Sequence, residues 1–405
     1  MDNIRQKTDK THVFDPSIKE ILPHEKMYNV QIGNERFVLS GASLSSDAPS
    51  YFTNYFSNSA NNDKILFIDR SPTVFKLIYA HLQGYYLEID DADVFTKLFN
   101  DALYYNLPKL RDSLKNNEYY YVLIEGKSLK FSKNLISGPG NFPNFFTVAN
   151  DALYEDISNL IVDKKWIRPP PQAAPSLNRC SVLLIELIKI FQGVEIEIRS
   201  EEHRKSLIRE AKYYRFGSLV EKLIKHKIIY NPFWEKEEIL ITLEYLDQKS
   251  LDLSRDYWSY KRFYVDEFER ILQIQFEYPD VEINQDDNNY IIFKFHSKSN
   301  HKLQSLLTKF SASREMTFAN VAFIQNKTLI KIPLSQFKSF NSSIKLNSKQ
   351  LDSLKTVESI NWKLLKSLLR FKFLKHQEKH FILPELVKAE AVETIGDFYN
   401  ELQFI

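Results

Sequence analysis

The chain has 405 residues, of which 43% are hydrophobic and 14% aromatic, so it is long and apolar enough for two or three packed domains. Its 54 basic and 52 acidic side chains nearly cancel, so the net charge gives no reason to expect nucleic acid, whose phosphates require a concentrated basic surface. The 9 glycines form no phosphate-binding loop, and a single cysteine, Cys180, excludes a disulfide or a cysteine zinc site within one chain.

The first segment, residues 1–26, is a polar tail without the apolar stretch of a signal peptide. No run in the sequence approaches the roughly 18 apolar residues of a membrane span. A lone cysteine is typical of proteins in reducing compartments. We therefore expect a soluble protein of the cytoplasm, with the nucleus as the other candidate location.

Residues 27–116 predict a first α/β domain. The segment VQIGNERFVLS (30–40) alternates apolar and polar residues around a turn, which is typical of a β-hairpin. The segment 64–84 begins as an apolar strand, turns at Asp-Arg-Ser-Pro, and continues with apolar residues at helical spacing. Its serine suits an N-cap, its proline suits the first helical residue, and its last glycine suits the position after a helix end.

Residues 117–229 repeat these blocks in the same order, which predicts an internal duplication. The matched blocks are VQIGNERFVLS (30–40) with VLIEGKSLKFS (122–132), PSYF (49–52) with PNFF (143–146), LFIDR (66–70) with LIVDK (160–164), HLQGYYLEI (81–89) with IFQGVEIEI (190–198), and ALYYNLPKL (102–110) with AKYYRFGSL (211–219). The offset grows from 92 or 94 residues to 109 across the proline-rich segment 165–179. We interpret that segment as a loop inserted into the second copy.

These segments resemble the BTB/POZ domain of the potassium-channel tetramerisation type. That family opens with a Val-x-Ile/Leu-x-Val-Gly-Gly hairpin, has Phe-Ile-Asp-Arg-Asp-Pro at its corner, and closes with Glu-Ala-x-Tyr-Tyr-x-Leu. Residues 28–114 carry nearly all of this pattern, whereas the second copy, 120–227, departs from it at the corner, which the alignment places at 162–165. Tandem domains of this kind resemble a group of little-studied fungal proteins. The residues that carry the motif are Gly33, Asp69, Arg70, Pro72, Gly84, Ala102, Tyr104, Tyr105, Gly193, Ala211, Tyr213 and Tyr214.

Asp69 and Arg70 have two interpretations. As a catalytic pair they would need a nucleophile, a base or a metal nearby, and the sequence has no recognisable arrangement of such groups. As a structural corner, the aspartate would accept backbone N–H groups at the helix start while the arginine bridges to a neighbouring element or subunit. We favour the structural interpretation.

The resemblance implies a non-enzymatic scaffold or adaptor that binds proteins or self-associates, without a cofactor or a metal. Family members often form rings of four or five domains. Two copies per chain therefore predict either a dimer that closes a four-domain ring or a monomer whose copies pair in cis. The partners that the resemblance implies are a cullin ubiquitin ligase or, for a fungal signalling scaffold, a phosphatase. Candidate partner-binding residues are Ser43, Tyr51, Phe52, Tyr55, Phe56 and, in a proline-rich motif that competes with a plain surface loop, Pro169, Pro170 and Pro171.

Residues 230–405 predict an α+β domain with a mainly antiparallel sheet, because several runs are rich in β-branched and aromatic residues. DDNN at 286–289 is typical of a hairpin turn, and HKLQSLLTKF at 301–310 is typical of a helix. This region carries no recognised motif. An enzyme within 230–405 is therefore the alternative from another functional class.

Two motifs lie near the end of the sequence. The segment NWKLLKSLLRFKFLKH (361–376) predicts a basic amphipathic helix, either a membrane- or calmodulin-binding surface or, as we favour, a core helix with lysines at its borders. His376 and His380 would share a helical face, but Glu378 does not directly follow the first histidine as a zinc protease requires, so we expect no metal site. The predicted fold class is α+β, with two tandem BTB/POZ-like α/β domains followed by the α+β domain.

Overall fold

The computed structural model describes residues 16–150, 152, 174, 176–232, 234–252, 256–277, 280–285, 290–295, 301–303, 305–306, 321–324, 327–333, 361–376 and 379–393. The chain divides into two compact units, Met1–Leu219 and Val220–Ile405. Within the described residues no helix is both long enough and apolar enough to cross a membrane.

The first half of the first unit combines a three-stranded sheet with five helices. Its strands are β1 (Met27–Ile32), β2 (Glu35–Ser40) and β3 (Leu66–Ile68), and its helices are α1 (Gly41–Ser45), α2 (Tyr51–Phe56), α3 (Pro72–Leu82), α4 (Ala92–Tyr104) and α5 (Pro108–Lys115). The strand order is β2-β1-β3, with β2 antiparallel and β3 parallel to β1. Pro72 begins α3 and Gly84, at φ +84°, follows its end, as the sequence predicts.

The second half of the first unit has the same strand order, β5-β4-β6. Its strands are β4 (Tyr119–Ile124), β5 (Lys127–Ser132) and β6 (Ser176–Leu177), and its helices are α6 (residues 145–150), α7 (Ser181–Phe191), α8 (Glu201–Tyr213) and α9 (Gly217–Leu223), which runs on into the second unit. Short 3-10 helices lie at Ser59–Asn61 and Asn134–Ile136. Here too the central strand has one antiparallel and one parallel neighbour.

The strand pairing corrects the position of the second corner. Phe67 pairs with Gln31 in the first sheet, and Ser176 pairs with Leu123 at the matching place in the second. The corner that follows the third described strand is therefore 178–181, the counterpart of 69–72, rather than 162–165. The predicted match at 160–164 lies outside the described residues. Among the residues that the structure describes, 176–177 pairs parallel to β4 and leads directly into α7.

The second unit contains, among its described residues, one sheet of eleven strands. The strands are β7 (His226–Asn231), β8 (Lys236–Thr242), β9 (Leu251–Asp252), β10 (Ser259–Lys261), β11 (Glu269–Glu277), β12 (Val281–Gln285), β13 (Tyr290–Phe295), β14 (Val321–Ile324), β15 (Lys327–Pro333), β16 (Asn361–His376) and β17 (Lys379–Glu393). Its 3-10 helices are Leu243–Tyr245 and Gln248–Ser250. Apart from the parallel β8–β11 pair, the described neighbours are antiparallel, so a mainly antiparallel sheet is confirmed. DDNN (286–289) lies outside the described residues, between the paired strands β12 and β13, and residues 301–303 and 305–306 are helical.

The predicted amphipathic helix at 361–376 is wrong, because this segment is strand β16. Five consecutive residues, 367–371, are buried, and β16 pairs with β11, β12 and β17. A strand whose centre is buried on both faces loses the alternation of apolar and polar residues that distinguishes it from a helix. His376 and His380 consequently lie on opposite strands of a hairpin, paired with Lys379 and Lys375, rather than on one helical face.

A buried ion pair joins two strands of this sheet. The guanidinium of Arg370 on β16 donates to both carboxylate oxygens of Glu238 on β8, at 2.8–3.1 Å. Gln273 and Asn231 donate to the same carboxylate, and the Trp234 ring lies 4.6 Å from the guanidinium. Such a pair is tolerated in the interior because every charged oxygen has a donor.

We expect Glu238→Leu to lower the free energy of unfolding of the second unit by about 3–5 kcal/mol, because it leaves the Arg370 charge buried without its partner. The double variant Glu238→Leu/Arg370→Met removes both charges and should recover most of that loss. Urea unfolding followed by tryptophan fluorescence measures it, since Trp234 and Trp258 both lie in this unit. A double variant no more stable than the single one would contradict this account.

Candidate functional site

The predicted corner is a tether between the sheet and a helix. Arg70, just after β3, reaches Asp101 on α4 at 2.5 Å, and its guanidinium lies 4.0 Å from the centre of the Tyr104 ring. Gly33 in the β1–β2 turn holds the corner from the other side, because its N–H donates to the Ile68 carbonyl at 2.8 Å. Gly33 has φ +54°, and a Cβ there would lie 3.1 Å from the Arg70 carbonyl oxygen, so a side chain would be strained and crowded.

The electrostatics of this corner support structure rather than chemistry. Burial raises the pKa of Asp101, and Arg70 offsets only part of that rise. Burial, and then the Asp101 charge, raise the pKa of the neighbouring Tyr105 hydroxyl. Asp69 itself is exposed. Among the described residues no three His, Cys, Asp or Glu side chains are grouped to hold a metal.

The second half builds the same arrangement 109 residues later. Arg179 binds Glu210 on α8 at 2.5 Å, and its guanidinium lies 4.2 Å from the Tyr213 ring. Each half also stacks its second tyrosine on a phenylalanine of the short aromatic helix, Tyr105 on Phe52 at 5.0 Å and Tyr214 on Phe146 at 4.9 Å. The remaining motif residues occupy equivalent places: Ala102 and Ala211 are fully buried, and Gly84 and Gly193 follow helix ends with φ near +80°.

A buried carboxylate that sequence reasoning missed fixes the last helix of the first half. Asp47 accepts the N–H groups of Lys109 and Leu110 at 2.6 and 2.9 Å, at the start of α5, and lies 2.8 Å from His81. In the second half Asn141 accepts the N–H of Ser218 at 3.1 Å in the same place on α9. The signal available in the sequence was an Asp and an Asn at matched distances before the PSYF and PNFF blocks.

The candidate partner-binding residues separate into buried and accessible ones. Phe52 and Phe56 belong to the core, while Tyr51 is 41% exposed and Ser43 and Tyr55 are half-buried. Pro169, Pro170 and Pro171 lie outside the described residues. The candidate residues that are open to a partner are therefore Ser43, Tyr51 and Tyr55. The Tyr51 ring lies 6.3 Å from the Tyr104 ring of the arginine corner.

The two halves touch through a contact, here called the junction, that the sequence did not predict. Its centre is a stack of Phe95 from α4 on Tyr121 from β4, with ring centres 4.2 Å apart and planes 13° apart. Ser128 on β5 accepts the N–H of Ala92 at 2.8 Å, and Lys130 binds Asp90 at 2.8 Å. An aromatic side chain of β4 and two polar side chains of β5 thus meet the start of α4.

The second unit has a cavity of about 760 Å³. Its lining residues are Trp234, Lys236, Glu237, Asp256, Tyr257, Ser259, Phe268, Glu269, Arg270 and Ile271. Arg270 is held by Glu237 and Asp266, and the Ser259 hydroxyl donates to Glu269. These described lining residues include neither a histidine nor a cysteine, so the arrangement is an ion-pair cluster without a recognisable activated nucleophile.

We expect Arg70→Met to destabilise α4 by about 3 kcal/mol at neutral pH, the lower end for a broken buried pair, because Arg70 is 22% exposed. Without Arg70 the pKa of Asp101 should rise further. The deficit relative to the unchanged chain should therefore shrink as the pH falls and Asp101 takes up a proton in both proteins. Native-state hydrogen exchange of the α4 amides measures it.

The control is Arg179→Met, which breaks the equivalent tether and should weaken α8 while leaving exchange in α4 unchanged. A deficit in the Arg70→Met variant that stays constant from neutral to acid pH would contradict the tether.

At the junction, Phe95→Leu and Tyr121→Leu should be coupled by about 0.5–1.5 kcal/mol in a double-mutant cycle, because they form a stacked pair. The matched control pairs Phe95→Leu with Tyr120→Leu, whose ring points to the opposite face of β4 and packs on Phe131. Hydrogen exchange of the β4 amides gives the free energies. Additive losses for Phe95 and Tyr121 would rule out the stack as the centre of the junction.

Comparison with known proteins agrees with this geometry. The family model of the BTB/POZ domain matches residues 28–114. The chain is 46% identical over 253 residues to the uncharacterized protein YDR132C of Saccharomyces cerevisiae, covering 59% of this chain and 51% of that protein. It is 38% identical over 236 residues to the BTB/POZ domain-containing protein YLR108C of the same yeast, covering 58% of this chain and 48% of that protein. The chain thus matches about half the length of these curated relatives, and the segment that holds the first arginine corner, residues 28–114, is a BTB/POZ domain.

Proposed function

We propose that this chain is a non-enzymatic scaffold or adaptor that brings proteins together. The observation that carries the proposal is the BTB/POZ domain at 28–114, a fold used generally for protein–protein interaction. Its charged corner is closed on itself by Arg70 and Asp101, so it stabilises the domain rather than acting on a substrate. The unit that follows contributes a large sheet suited to holding a client.

We propose further that residues 120–227 form a second BTB-like copy. Three observations support this: the shared strand order, the repeated arginine–carboxylate–tyrosine cluster, and the side-chain cap on the last helix. In this arrangement the copies pair in cis through the junction. The α2 surface around Tyr51 then lies apart from the residues that form the junction and is our candidate partner surface.

We propose two alternative classes of partner, a cullin ubiquitin ligase and a phosphatase of fungal signalling. We place the protein in the cytoplasm or the nucleus, where both classes act. Tyr51 and its counterpart Phe145 offer a matched comparison, because each follows the N-cap of a short aromatic helix and each lies beside the tyrosine of its own corner.

The test is proximity labelling in fungal cells with the full chain and with its Tyr51→Lys and Phe145→Lys variants. We expect Tyr51→Lys to lower the labelling of a defined set of neighbouring proteins by at least about tenfold, which corresponds to a loss of roughly 1.4 kcal/mol of binding free energy. Phe145→Lys should retain that set. Light scattering of each protein mixed with a purified cullin N-terminal domain then measures whether a complex forms. A complex with the unchanged chain that Tyr51→Lys abolishes supports the ligase, and the absence of a complex excludes it. Identical neighbour sets for all three proteins would contradict partner binding at this surface.

A further inference from the structure

The junction between the halves is a head-to-tail contact. The start of α4 in the first half meets the outer face of β4 and β5 in the second, so the two halves contribute different surfaces. A contact of this kind between similar units can repeat from chain to chain, giving a ring or a filament. Whether it repeats depends on the two faces left over, which are the outer face of β1 and β2 and the start of α8.

The leftover sheet face has lost each group that makes the junction. The first half has Asn29 where Tyr121 stacks, Arg36 where Ser128 accepts a helix N–H, and Val38 where Lys130 binds a carboxylate. Arginine has only donors, so Arg36 cannot accept that N–H. Asn29 offers no ring for stacking, and Val38 offers no charge.

The leftover helix face has changed at the same three places. At the start of α8 stand Arg199, Glu201 and Arg204, where α4 has Asp90, Ala92 and Phe95. The sign of the first charge is reversed, and the stacking ring is replaced by a guanidinium. These charges are bound within their own half: Arg204 pairs with Glu201 at 3.4 Å, and Arg199 pairs with Glu186 at 2.8 Å.

We propose that the second half is a terminator: the junction forms once, inside the chain, and cannot recur between chains. The inference rests on the proposed duplication, since only equivalent faces can be compared position by position. Assembly through the BTB-like halves therefore stops at two halves, and each chain offers its partners a single copy of the Tyr51 surface.

The test restores the junction at the outer faces. One triple variant, Asn29→Tyr/Arg36→Ser/Val38→Lys, rebuilds the sheet side, and the other, Arg199→Asp/Glu201→Ala/Arg204→Phe, rebuilds the helix side. By light scattering the unchanged chain and each triple variant alone should stay at 47.8 kDa. An equimolar mixture of the two variants should approach twice that mass, and the sixfold variant should form dimers or larger assemblies.

Each outcome decides the inference. The inference would be overturned if the unchanged chain already assembles and the substitutions Asn29→Asp and Arg204→Glu return the chain to a monomer. A mixture of two folded triple variants that remains monomeric, with folding checked by their thermal transitions, would also overturn it. If the sixfold variant does not fold, the mass of the equimolar mixture of the two triple variants still tests the inference. Neither failure touches the scaffold proposal, which the Tyr51 and Phe145 comparison tests separately.

Discussion

The first unit depends on an arginine that crosses from the end of a strand to a buried carboxylate on a helix. A guanidinium suits this position because it stays charged, presents a planar set of donors to a carboxylate, and stacks on an aromatic face. Arg70 does all of this at once, with Asp101 on one side and Tyr104 on the other. The tether sets the distance between β3 and α4, and with it the place of Tyr105 against the core aromatic Phe52. The same logic explains why the second half keeps Arg179 although little else at its corner is preserved.

Where the halves differ, their buried polar groups change together. In the first half Asp47 caps α5 and also meets His81; in the second, Asn141 caps α9 and the residue equivalent to the histidine is Ile190. Leaving an aspartate without the histidine would bury a carboxylate with fewer partners, and leaving a histidine without the aspartate would bury an unmatched ring nitrogen. Replacing both residues keeps the helix cap, because an amide oxygen can also accept the backbone N–H at the helix start. The constraint acts on the number of satisfied groups rather than on the identity of any one residue.

Local patterns predicted much of the first unit. The hairpin alternation, the start of α3 at Pro72, the apolar face of α3 and the glycine after its end all follow from local patterns, and all are present. Ser71 occupies the N-cap position without making a side-chain cap hydrogen bond. The helix predicted at 361–376 was wrong because the buried centre of this strand lacks the two-residue alternation by which a strand is recognised, while its leucines also fit a helical spacing. The junction was not predictable in this way, because an apolar residue on a helix or strand is by default assigned to the core of its own half, whereas Tyr121 of the second half packs into the core of the first. The roles of Asn29 and Arg204 follow from their positions, which are equivalent to those of Tyr121 and Phe95 in the other half.

The junction is a weak contact, and the short link within one chain favours its closure in cis. It combines one aromatic stack of ~0.5–1.5 kcal/mol, one hydrogen bond of ~1 kcal/mol and a surface ion pair of ~0–1 kcal/mol. Association between separate molecules has to overcome ~4–15 kcal/mol of lost motional freedom. A contact in trans therefore needs all three terms together with the apolar area that Phe95 and Tyr121 bury, and it forms at high protein concentration. Inside the chain α5 ends at Lys115 and β4 begins at Tyr119, so a short link holds the two faces at an effective concentration on the order of millimolar or higher. A junction of this size therefore closes within the chain, while the equivalent outer faces, which lack its contacts, do not pair between chains. Changes at three positions on each face are enough to separate pairing within the chain from polymerisation.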